Sequence, residues 1–344
     1  MITRPPFEFG GTSVAAGTRA VVELALPRLN SQALMSMSVH VLHGRKDGPV
    51  MFISAAIHGD ELNGVEIVRR ILATKLLGRL GGTLIAIPVV NGYGLSQHSR
   101  YLPDRRDLNR SFPGSESGSL ASRLAHLFMS RIVSRTSVGI DFHTGSGHRT
   151  NLPQIRADLD DPQTEALARS FGVPVMLNAP LRAGSMRGSA GELGTRILLY
   201  EAGEALRFDE LAIRAGVAGV FGVLRSLDML PPSTRKSTSY REPYVARSSR
   251  WERAPQSGIL RARVVPGARV ERGEVLGHVH DPAVSEHAPI LARSAGLVIG
   301  RLELPVVHEG DAVFHIARFN DDMADVEENV DSFHLDHGDL LLLD

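Results

Sequence analysis

The chain has 344 residues, 43% hydrophobic and 22% charged, with 38 basic residues against 38 acidic ones and no cysteine. Zero net charge gives no electrostatic footprint for nucleic acid or an anionic membrane. A chain without cysteine has no disulfide, no thiol nucleophile and no thiolate metal site.

No apolar run reaches the ~18 residues that span a bilayer. The stretch Met1-Ile2-Thr3-Arg4-Pro5-Pro6 lacks the apolar core of a secretory signal, so a cytoplasmic protein is the expectation. Residues 1–38 alternate apolar and polar positions, and 21–26 and 38–42 read as strands at a sheet edge. The apolar run 50–56 reads as a buried strand. Residues 60–77 carry apolar side chains at helical spacing, and 83–90 form a second buried strand. Residues 91–118 hold Gly92, Gly94, Pro103, Pro113 and Gly114 and predict a long loop, a class of segment that usually carries function. A helix follows over 119–134, a strand over 138–143, and a polar loop over 144–151. Helices over 161–171 and 208–228 then alternate with strands near 173–177 and 196–200.

This alternation predicts an α/β domain over 39–232, with a mixed, mostly parallel sheet flanked by helices, to which 1–38 add edge strands. Residues 231–239 are polar and read as a linker. Residues 243–319 show short strands punctuated by glycine and predict a smaller all-β domain, and 320–344 an acidic, solvated tail.

The stretch Ile57-His58-Gly59-Asp60-Glu61 lies where the strand 50–56 gives way to a helix, the edge at which ligands bind in open α/β sheets. His58 and Glu61 together can hold a zinc ion. His143 ends the strand 138–143 and arrives at the same edge as a third ligand. Three protein ligands and one open position make a hydrolytic zinc site, and without cysteine the ligands must be His, Asp or Glu. Each residue also has a plain structural reading: a helix-start histidine, a glutamate favoured by the helix dipole, a core histidine. Asp104-Arg105-Arg106-Asp107-Leu108-Asn109-Arg110 adds guanidinium groups suited to gripping a carboxylate in two-point fashion, or to a surface salt-bridge cluster. Arg156 or Arg149, after His143, can take a second acidic group.

Four motifs occur in order: Ala55-Ala56-Ile57-His58-Gly59-Asp60-Glu61, Arg106-Asp107-Leu108-Asn109-Arg110-Ser111-Phe112-Pro113-Gly114, Asp141-Phe142-His143-Thr144-Gly145 and Tyr200-Glu201-Ala202-Gly203. Over roughly residues 40–230 the chain resembles the succinylglutamate desuccinylase/aspartoacylase family, relatives of the zinc carboxypeptidases. The resemblance implies a zinc carboxypeptidase-like fold with one Zn2+ on His58, Glu61 and His143. It implies Glu201 as general base and acid, although Glu204 is a rival by chemistry alone. Asn109 and Arg110 match the pair that binds the substrate carboxylate, and Asp107 the group that orients a metal-bound histidine. Arg100 is the counterpart of the oxyanion arginine, with Arg105 and Arg106 as competitors because the gap to Asp107 is longer than in aspartoacylases. His148 as a fourth ligand would close the open position.

The implied activity is deacylation of an N-acyl amino acid, with carboxypeptidase action on a short peptide as the alternative and a non-catalytic metal-binding module as the rival of another class. The C-terminal segments 254–260 and 267–279 resemble a biotinyl/lipoyl-type β-hammerhead. Residues 243–318 contain no lysine, so no cofactor can be attached there. That part is expected to wall the site or to mediate a homo-oligomer contact.

Overall fold

The computed structural model describes residues 4–28, 34–233, 242–283 and 286–338. A short hairpin, β1 (Phe7–Phe9) and β2 (Thr12–Val14), stands apart. Then come β3 (Thr18–Ala25), β4 (Ser36–His43), β5 (Lys46–Ala55), α1 (Asn63–Ala73), β6 (Gly81–Ile87), α2 (Gly92–Ser96) and α3 (Leu120–Arg131). The middle of the chain forms β7 (Val138–Gly145), β8 (Arg149–Ala157), α4 (Pro162–Phe171), β9 (Val175–Asn178), α5 (Met186–Glu192), β10 (Arg196–Glu204) and α6 (Glu210–Ser226).

The local chemistry explains several boundaries. Ser119 caps α3 through Ser122 N–H, and Asp161 caps α4, whose first residue is Pro162 and which ends on left-handed Gly172. Along β5, Met51, Ile53 and Ala55 face one layer and Phe52 the other, as the two-residue period requires. Helices α1, α4 and α6 cover the first face. Helices α3 and α5 cover the second. Among the described residues no helix is long and apolar enough to cross a membrane.

The sheet is mixed, but it is parallel only in part. Its centre, β6-β5-β7-β10, runs parallel. On one side β4 and β3 continue antiparallel, and on the other β10 meets β8 antiparallel. Strand β8 lies in a stretch expected to be loop. It is hidden in the sequence because it opens on Arg149-Thr150-Asn151 and carries Gln154 and Arg156 among its apolar residues. It is also where the sheet forks. Arg149–Asn151 pair with β17 (Gly296–Leu302), and Gln154–Ala157 pair in parallel with β9.

The C-terminal strands keep a core of their own, from Ala254 to Ile316, and also hydrogen-bond into the main sheet. β11 (Tyr244–Ala246) joins β9, β12 (Ser248–Arg253) joins β19 (Ala312–Arg318), and β14 (Arg269–Val270) and β19 both join β17. Together these make one sheet of 13 strands. Only β13 (Gly258–Ala262), β15 (Val275–His280), β16 (His287–Leu291) and β18 (Val306–Val307) build a second, four-stranded sheet. The segment expected to be an acidic tail forms α7 (Met323–Gly338) up to the last described residue. Its acidic residues face outward, while Val326, Val330 and Phe333 are buried. Composition concealed an amphipathic helix.

Candidate active site

The site lies at the carboxyl ends of the central parallel strands. Beyond β5 the backbone turns at Ala56, which has a positive φ of 53°, and His58 and Glu61 follow before α1. Gly59 is required by crowding: a Cβ there would sit 2.0 Å from the Gly94 carbonyl carbon and 2.1 Å from Leu95 N in α2. His143 comes from β7. Asp141 lies two residues earlier on the same strand, so both side chains share one face.

One oxygen of Asp107 and one of Asp141 each hold a histidine by Nε2, His58 at 3.0 Å and His143 at 2.7 Å. Ser54 donates to the other Asp141 oxygen at 2.8 Å. With Nε2–H donated outward, Nδ1 of a neutral ring is an acceptor. Both Nδ1 atoms nevertheless lie 2.8 Å from the two oxygens of Glu61. Acceptor against acceptor at that distance requires a cation or a proton between them. Glu61 and both histidines are almost wholly buried. Burial alone would raise the Glu61 pKa, but His58 and His143 hold it well below the usual carboxylate range. The ligand atoms of His58, Glu61 and His143 fall within 4.8 Å of one another. Two imidazoles and a carboxylate, with carboxylates behind the imidazoles, fit a zinc ion and leave its fourth position open.

Asp107 also accepts the Asn109 backbone N–H at 2.8 Å and a two-point contact from Arg100. Burial raises its pKa, but the His58 hydrogen bond and the Arg100 charge prevail and keep it ionised. Arg100 reaches further, with Nη1 3.1 Å from both His58 Nδ1 and Glu61. Arg105 and Arg106 are exposed on the loop, and Arg100 alone of the three lines the cavity. Asn109 Oδ1 accepts from Met186 N at 2.9 Å, which leaves its NH2 as the donor group. The Arg110 guanidinium donates to the neighbouring Asn109 carbonyl. Burial and the positive charges of Arg182 and Arg100 lower its pKa.

Glu201 on β10 lines the same cavity of about 300 Å³ as His58, Glu61, His143, Arg100, Asn109 and Arg110. It accepts from Asn151 Nδ2 at 2.8 Å and pairs with Arg156 Nη2 at 3.2 Å. Arg156, expected to await a second substrate acid, is thus engaged with Glu201. Glu204 pairs with Arg207 and does not line the cavity, and His148 is half-exposed outside it.

Sequence reasoning missed Asp141, although the spacing Asp-x-His on a strand puts the pair on one face. It also missed Arg182 and Arg187, which line the wall, and Trp251 of β12. Trp251 stacks on His315 at 4.5 Å, and the Arg149 guanidinium carbon lies 5.2 Å from the Trp251 ring centre. A larger hollow of about 530 Å³ lies at the far end of α1 and contains none of these groups.

The fold is shared with known proteins. The chain is 26% identical over 290 residues to N-alpha-acetyl-L-2,4-diaminobutyric acid deacetylase of Halomonas elongata, covering 79% of this chain and 83% of that one. A succinylglutamate desuccinylase/aspartoacylase structure from Rhodobacter sphaeroides superposes with a TM-score of 0.80 at 22% identity, covering 88% and 96% of the two chains. The product-bound ectoine utilization protein EutE (DoeB) of Ruegeria pomeroyi does so at 0.79 and 22%, covering 92% and 97%. Residues 47–227 match the succinylglutamate desuccinylase/aspartoacylase catalytic domain, and the chain belongs to that family.

Proposed function

We propose that the protein is a zinc-dependent amidohydrolase that removes the acyl group from an N-acyl amino acid. The observation that carries this reading is the convergence of His58, Glu61, His143 and Glu201 on one cavity. His58, Glu61 and His143 would hold the zinc ion, which would supply the Lewis acidity that activates a water and polarises a carbonyl. Glu201 accepts a proton from the attacking water and returns it to the departing nitrogen. Asn151 and Arg156 fix the Glu201 oxygen that they share, which aims the other. Arg100 offers its Nη1 group to the oxygen that becomes negative as the carbonyl carbon turns tetrahedral. Asp107 anchors that arginine by its other nitrogens. The Asn109 amide and the Arg110 guanidinium hold the substrate carboxylate.

The cavity favours a small acylated amino acid over a peptide. It is near the lower bound for small-molecule sites, ~300 Å³, and Trp251 forms part of its wall. Arg149, Arg182 and Arg187 line it as well, and this charge supports an anionic side chain or acyl group. That differs from the cationic diaminobutyrate in the name of the Halomonas relative. The test is zinc analysis of the purified protein together with a hydrolysis screen. The screen sets N-acetyl and N-succinyl derivatives of acidic amino acids against N-acetyl diaminobutyrate and acidic dipeptides. One zinc per chain with turnover fastest on the acidic N-acyl amino acids is expected. Stoichiometric zinc with no hydrolysis of any of them would instead favour a binding module. Faster cleavage of the dipeptides would favour a carboxypeptidase.

A further inference from the structure

A second group of histidines lies on the four-stranded sheet, away from the cavity. His280 of β15 stands directly opposite His287 of β16. His278 is two residues back along β15, so its side chain rises from the same face. The His278–His287 and His280–His287 ring centroids are 5.0 and 5.1 Å apart, and His278–His280 are 6.2 Å apart. His280 and His287 are exposed and His278 is half-buried.

Three imidazolium ions within this distance repel one another, and the positive charge of Arg263 also acts on His278. Arg261 lies opposite His278 on β13 and adds another cation to that face. Lost solvation, then His287, Arg263 and His280, set the His278 pKa below its ordinary value. His278 therefore gives up its proton more readily than a free imidazole does. Neutral nitrogen is the form that binds metals.

The spacing matches a shared ion. Zinc takes imidazole nitrogen at about 2.0–2.1 Å, which puts ring centroids about 5.2 Å apart at tetrahedral angles. Two of the three centroid separations are close to this value; the three sets of ring nitrogens do not converge as they stand, unlike those of the active site, and the exposed His280 and His287 rings must turn for them to share an ion. We propose that His278, His280 and His287 form a surface site for a divalent transition metal such as zinc, nickel or copper, with three imidazole ligands and the remaining position open to water. Imidazole suits all three ions. The ion would clasp the ends of β15 and β16 together. The proposal does not depend on the catalytic reading, because none of its residues lines the active-site cavity.

The test uses the full chain and the variant H278Q/H280Q/H287Q. Titration with Zn2+ is expected to show one more equivalent bound by the native protein than by the triple variant, with hydrolysis the same in both. Loading with Cu2+ separates the two sites by spectroscopy, since the active-site donor set holds two imidazoles and the surface site three. A paramagnetic resonance signal coupled to three nitrogens should appear in the native protein and vanish in the variant. The single variants His278→Gln and His287→Gln should each weaken the additional binding at least tenfold, and Arg263→Gln should tighten it. Equal zinc stoichiometry in native and triple-variant protein, or no signal from three coupled nitrogens, would overturn the proposal.

Discussion

Glu201 is held by two side chains that do not themselves react. Asn151 and Arg156 both contact the same Glu201 oxygen, so the carboxylate is oriented without losing its second oxygen. This predicts a separation of roles. In Glu201→Gln, the zinc content should remain that of the native protein while kcat falls by about 10²–10⁴-fold, the usual contribution of a positioned acid–base group. Zinc analysis and steady-state kinetics check both halves. Native turnover in the variant would remove Glu201 from the mechanism and return attention to Glu204.

At the scale of elements, the pairing of His58 with Glu61 depends on how closely two segments approach. The turn carrying His58 and Glu61 is pressed against α2, and Gly59 is the residue that lets it be. Ala at this position would force the α2 backbone away, at the typical cost of overpacking, about 1–3 kcal/mol, and would carry His58 with it. Gly59→Ala is therefore expected to lower both the unfolding midpoint and the zinc affinity. Gly78→Ala, where nothing lies within 4 Å of the added carbon, should change neither. Thermal unfolding and zinc titration of the pair decide it.

How far elements were legible follows the same logic. Strands β5, β6 and β7 announce themselves as apolar runs because helices cover both their faces, and His58 and Glu61 follow the first of them. Strand β8 begins with Arg149-Thr150-Asn151, whose polarity serves pairing with β17 and contact with Glu201, so it reads as loop. Helix α7 carries buried residues at helical spacing, Val326, Val330 and Phe333, but its acidic outer face dominates its composition. The motifs favour Arg100 and Glu201, and these two line the cavity while Arg105, Arg106 and Glu204 do not, a difference of position and not of chemistry.

At the scale of the molecule, the C-terminal strands complete the cavity wall. His315 of β19 is buried beneath Trp251, with Nε2 2.8 Å from Ser249 Oγ and no partner for Nδ1. Burial, aided by the Arg156 charge, pushes its pKa down to about 3. The folded value lies below the unfolded one of ~6.5, so between them the unfolded chain binds more protons. The stabilisation from a neutral His315 is complete above pH ~6.5 and is lost as pH falls toward the folded value, by at most ~1.4 kcal/mol per unit. Denaturant unfolding between pH 7 and pH 4 should therefore show a shallower loss of stability in His315→Phe, which keeps an aromatic ring against Trp251, than in the native protein. Equal slopes would show that His315 does not contribute to acid sensitivity.

The fork in β8 sets an order of events during synthesis. Its edge is made early, yet the strand that covers Arg149–Asn151 does not begin until Gly296. At ~5–20 residues per second of translation, that edge stays uncovered on the ribosome for on the order of ten seconds. An open apolar edge would be a template for pairing with other nascent chains, and charged or polar edge residues are the usual defence. The polarity that makes β8 hard to see in the sequence is thus suited to the interval in which its partner has not yet been made.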